Sequence, residues 1–116
     1  MNTSVLSAST LSGDSIVNAS GEDVGKLEDI MLDLDHGKVA YAVLSVGGFM
    51  GMGDKLFALP WESLQVDTAN KRLICNVPKE KFEASDGFDK SNWPNLADPS
   101  FRDRTYSQYG AKPYWN

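Results

Sequence analysis

The chain predicts a mainly β fold: a small antiparallel barrel followed by a helical, aromatic-rich C-terminal extension. Three stretches carry that expectation. From Lys26 to Leu34, the apolar Ile30, Leu32 and Leu34 alternate with Asp29, Met31 and Asp33, the period-2 pattern of a strand with one buried face. Asp33-Leu34-Asp35-His36-Gly37-Lys38 then reads as a hairpin turn, with Asp33 and Asp35 capping it and Gly37 left-handed. Farther on, Val46-Gly47-Gly48-Phe49-Met50-Gly51-Met52-Gly53-Asp54-Lys55 places four glycines in seven positions. Such a run lets the backbone turn sharply between two apolar strands.

Each element follows in order. Residues 1–10 are expected to form a flexible leader, residues 11–77 the barrel, and residues 78–116 an extension packed on the barrel or on a partner. Ile16-Val17 marks a short strand, and Asn18 to Gly21 supplies turn residues. Lys38 to Val46 is apolar on both faces, with Val39, Tyr41 and Val43 on one and Ala40, Ala42, Leu44 and Val46 on the other. Such a strand is central to a closed barrel or is covered from outside. Lys55 to Leu59 ends at Pro60, which has no N–H for the ladder. Arg72 to Val77 follows a turn at Asp67 to Lys71. In the extension, Pro78 opens a helical turn. Asp98-Pro99 starts a second helix, ended by Gly110, with Phe101, Thr105 and Tyr109 at i, i+4 spacing.

Composition narrows the function. At 116 residues the chain is one domain, and a hydrophobic share of 41% suits a globular core. The lone Cys75 forms no internal disulfide, which fits a reducing compartment. Met1 to Leu11 is rich in Ser and Thr, with no basic region and no long apolar run. Neither a signal peptide nor a membrane span is indicated, and the cytoplasm is the expected location. The net charge is −5. Up to Val77, ten acidic residues face only Lys26, Lys38, Lys55, Lys71 and Arg72. An acidic barrel repels phosphate backbones, so direct nucleic-acid binding is disfavoured.

Local motifs give no catalytic centre. The glycine loop fits neither GxGxxG, since Leu56 stands at the last glycine, nor GxxxxGK[ST], so a structural loop outweighs a phosphate cradle. Asp33 to His36 faintly resembles a calcium loop, but Leu44 occupies the position that needs a bidentate glutamate. His36 and Cys75 lie on separate elements, as an exposed turn residue and a buried strand residue. Glu28 and Asp29 are neighbours on a strand and point to opposite faces, which rules out joint acid/base work. No catalytic residue, cofactor or metal is expected.

The run Gly25…Asp29…Asp33…Gly37…Gly47-Gly48-Phe49-Met50-Gly51…Pro60-Trp61 resembles the PRC-barrel family. That domain is shared by the cytoplasmic part of the photosynthetic reaction-centre H subunit and the C-terminal part of ribosome-maturation factors. The resemblance covers roughly Leu11 to Val77. The ending Phe88-Asp89-Lys90-Ser91-Asn92-Trp93-Pro94, with Pro113-Tyr114-Trp115, is similar to stand-alone bacterial members. The resemblance implies a PRC-type barrel of SH3-like size and a non-enzymatic adaptor that docks onto a protein partner. A homodimer or higher oligomer is also expected, because strand Lys38 to Val46 offers apolar side chains to both sides. Phe49, Met50, Trp61, Tyr41, Trp93 and Trp115 are the candidate interaction residues. The alternative is a small-ligand or anion-binding domain, or a minor enzyme, using the Gly47–Gly53 loop.

Overall fold

The structure is a computed structural model and describes residues 5–47, 55–83 and 87–115. In chain order it contains α1 (Ala8–Leu11), β1 (Ser15–Asn18), β2 (Asp23–Asp33), β3 (Lys38–Val46) and β4 (Lys55–Leu59). A 3-10 turn at Trp61–Ser63 leads to β5 (Leu64–Asp67), β6 (Arg72–Cys75), α2 (Lys79–Glu83) and α3 (Pro99–Gln108). Six strands form one sheet in the order β4-β3-β2-β1-β6-β5. Each pair is antiparallel except β1 with β6, which run parallel. The antiparallel expectation holds for pairs close in sequence. Strands β1 and β6 are distant in sequence, so no hairpin sets their direction.

The sheet curls around one core. Ile16, Leu27, Leu44, Leu59, Leu64 and Leu73 come one from each strand and pack in a single buried cluster. Gly25 permits the tight crossing of β2 on β3, because a Cβ there would lie 2.1 Å from the Ser45 carbonyl oxygen. Phe82 of α2 enters the core against Phe57, with ring centroids 5.2 Å apart. Ahead of β1, the Ser7 side chain caps α1, and Leu11 at the end of that helix is buried in the core.

One expectation about β2 needs correction. Of Ile30, Leu32 and Leu34, only Ile30 packs against the core, and it is partly buried. Leu32 is 64% and Leu34 87% exposed. Register shifts between Leu27 and Asp29 and between Met31 and Leu32 break the period. The hairpin also outruns its neighbours: β4 meets β3 only from Ala42 onward, and β1 meets β2 only as far as Lys26. Leu32 therefore stands on a two-stranded projection, and Leu34 lies in the turn just beyond β2, past the end of the core.

Strand β3 is buried on both faces, but its outer face is covered by this chain. Ala40, Tyr41 and Ala58 pack under Tyr106 of α3, flanked by Phe101, Tyr114 and Trp115. Helix α3 starts where Asp98 accepts from the Ser100 amide at 2.9 Å, and Gly110 follows it at φ 66°. Tyr106 Oη donates to the Ala40 carbonyl at 2.5 Å, which supplies a partner for a main-chain group on the projecting hairpin. The tail also returns to the sheet edge, where Leu56 and Phe88 exchange two main-chain hydrogen bonds at 2.9 Å.

Candidate interaction groove

The turn between β2 and β3 is organised by one carboxylate. Asp33 Oδ1 accepts from the amides of Asp35 at 3.0 Å and His36 at 3.1 Å. Gly37, at φ 65°, donates its amide to the Asp33 carbonyl. Oδ2 accepts from Tyr114 Oη at 2.5 Å and faces His36 Nδ1 at 2.9 Å. The Tyr114 hydrogen bond, helped by His36, holds the Asp33 carboxyl down at about 2, from an ordinary 3.8. The hydroxyl of Tyr114 is pushed upward, first by burial and then by Asp33.

Between this turn and the tail lies a groove of about 450 Å³. Met31, Leu32, Leu34 and Leu96 give it apolar walls, Tyr41 its inner wall, and Asp33 and Asp35 an acidic rim. Tyr41 is 2% exposed, in edge contact with Phe101 at 5.7 Å and Tyr106 at 6.1 Å. Burial raises its hydroxyl to about 12, and its Oη has no hydrogen-bond partner among the described residues. The Arg102 guanidinium lies 4.0 Å over the Trp115 ring and 3.7 Å from Asp103. The 3.7 Å ion pair is made by its Nε, which has no hydrogen-bond partner among the described residues.

The expected interaction residues are dispersed. Tyr41 is sealed beneath α3, out of a partner's reach while the tail is docked. Trp61 packs half-buried against the main core. Trp93 packs edge-on against Phe88, with ring centroids 5.3 Å apart, and donates its indole N–H to the Lys90 carbonyl. Trp115 packs edge-on to Tyr106 at 4.8 Å. Phe49, Met50 and residues 48–53 of the glycine loop lie outside the described residues, as does the ligand site proposed for that loop. His36 and Cys75 fall on the turn and in the core respectively, with burial raising the Cys75 thiol. Among the described residues, no group of three or more His, Cys, Asp or Glu is placed to hold a metal. No helix among them is long and apolar enough to cross a membrane.

A family model of the PRC-barrel domain matches residues 4–82, well over half of the chain. The chain belongs to the PRC-barrel family. No curated protein matches it. Among solved structures it is similar to RimM of Pseudomonas aeruginosa, assigned to 16S ribosomal RNA processing. The identity is 16% and the TM-score 0.44, over 69% of this chain and 50% of that one. The chain thus spans about half the length of that protein. Within this PRC barrel the family match ends inside α2, so Leu96, Arg102 and Tyr114 come from beyond it. The groove is built jointly from the family barrel and the tail.

Sequence reasoning missed Leu32 and Leu34 as surface residues. Bulge positions and the unequal lengths of neighbouring strands decide their exposure, and neither is written in the alternation itself. The partnership of Asp33 with Tyr114 had only one sequence signal, the aromatic Pro113-Tyr114-Trp115 ending.

Proposed function

We propose that this PRC-barrel protein is a non-enzymatic interaction and assembly module, working in the cytoplasm, that docks onto a protein partner and also self-associates. The observation that carries the reading is the display of Leu32 and Leu34 on a hairpin end held by Asp33 and Tyr114. Large apolar side chains on a hydrogen-bonded projection beside a groove fit a docking surface better than a stability role. Burying each is worth about 1.5–3 kcal/mol, enough for a few such residues to anchor a partner.

Self-association is assigned to the 47–53 loop with Phe49 and Met50, because the outer face of β3 is already occupied by the tail. Sedimentation of the full chain at micromolar concentration, alongside Phe49→Asp, tests this. The expected result is a species heavier than the 12.7 kDa monomer that reverts to monomer in the variant. A monomer in both cases, purified from its host with a small-molecule cofactor and no protein partner, contradicts the whole reading.

A further inference from the structure

The groove beside the hairpin has two properties that together select an occupant. Its walls are apolar, and two of the wall residues, Leu32 and Leu34, are largely uncovered. A short run of apolar side chains laid against them removes that surface from water. The rim is acidic: Asp33 and Asp35 line it, and Glu28 and Asp29 lie on the same projecting strand. Of the basic groups nearby, Arg102 is directed at Asp103 and the Trp115 face, and Lys90 at Glu28. Lys38, opposite Asp33 in the ladder, and His36, on Asp33, leave the carboxylates of Asp29 and Asp35 in excess on the exposed hairpin.

Resting on the interaction-module reading above, we infer that this groove docks a protein partner through a peptide segment combining apolar side chains with Lys or Arg. The apolar side chains lie on Leu32, Leu34 and Leu96, and the cationic side chains meet the acidic rim at Asp35. Nucleic acid is a poor occupant because the acidic rim repels phosphate. A second copy presenting the same hairpin brings like charge against like charge, which disfavours self-recognition here.

The test is an amide NMR titration of the full chain with two short, end-blocked peptides. One carries leucines flanked by lysines, and its twin carries the same leucines flanked by glutamates. The expected result is a set of shifts at residues 31–36, Leu96 and Arg102 with the lysine peptide. The glutamate peptide is expected to bind about tenfold more weakly or worse, with the gap narrowing as salt rises. Leu34→Asp should remove the shifts, and Asp35→Lys should reduce the preference for lysine; both side chains are exposed, so neither substitution threatens the fold. Equal binding of the two peptides, shifts elsewhere, or none at millimolar peptide overturns the inference. If the inference fails in this way while the chain still self-associates in sedimentation, this docking site falls and the interaction module stands.

Discussion

Tyr114 donates its hydroxyl proton to Asp33 Oδ2 at 2.5 Å, across 81 positions of sequence. The last residues of the tail are thereby fastened to the tip of the central hairpin. The same carboxylate accepts two turn amides through its other oxygen, so one side chain both closes the turn and holds the tail. Replacing Tyr114 by Phe removes the largest influence that lowers the Asp33 carboxyl. Its titration midpoint should climb from about 2 toward 3.8, read from the side-chain carboxyl resonance by NMR. An unmoved midpoint would mean that His36 and the turn amides suffice on their own.

The seam between tail and barrel should weaken at both ends of the pH scale. Asp33 is depressed in the folded state, so its contribution is present above 3.8 and is lost as pH falls toward about 2. Tyr41 and Tyr106 are both raised by burial to about 12 from 10.0. Their contribution is complete below pH 10.0 and is lost as pH rises toward 12. Near-ultraviolet circular dichroism should show a plateau between those limits and loss of aromatic signal beyond each. In Tyr114→Phe the acid limb should become shallower. A monotonic change through neutral pH would argue against this origin.

Tyr106 links α3 to β3 through its hydroxyl on the Ala40 carbonyl. Tyr106→Phe keeps the ring in its cluster and removes the hydroxyl's hydrogen bond to that buried carbonyl. Loss of the bond should cost roughly 1–2 kcal/mol in urea unfolding, with little change in the denaturant slope. Stability equal to wild type would show that water replaces the hydroxyl there.

At Gly25 the main chain of β2 lies close against that of β3. A methyl group at Gly25→Ala would meet the Ser45 carbonyl oxygen at 2.1 Å, and both sides of that contact are main chain in paired strands. The expected effect is a loss of about 2 kcal/mol or more in thermal or urea unfolding, since the ladder must shift to admit the methyl. A neutral substitution would mean that β2 can slide along β3 at that point.

Much of the fold was legible in residue patterns because local chemistry determines it. The turn at Asp33 to Gly37, the end of β4 at Pro60, and the Asp98-Pro99 start and Gly110 finish of α3 each follow from one or two side chains acting on their own backbone. The two-faced character of β3 was legible too, but not what covers its outer side. An apolar face looks the same whether a second copy or the chain's own tail buries it, and here Tyr106, Phe101 and Trp115 do so. Leu32 and Leu34 escaped for a different reason. Their alternation is that of a buried strand, while their exposure comes from two register shifts and from neighbouring strands that stop short. The groove was therefore illegible until long-range placement joined a hairpin to a segment some 80 residues away.

The central claim is that the hairpin end, and not the covered face of β3, is the surface this protein offers to partners. Crosslinking in host cells, comparing wild type with Leu34→Asp, tests it most directly, with tail packing monitored by near-ultraviolet circular dichroism. The expected result is a protein partner crosslinked to wild type and lost in Leu34→Asp, with an unchanged aromatic signal. Undiminished capture of the same partner by Leu34→Asp would contradict the claim and move the docking surface elsewhere on the barrel.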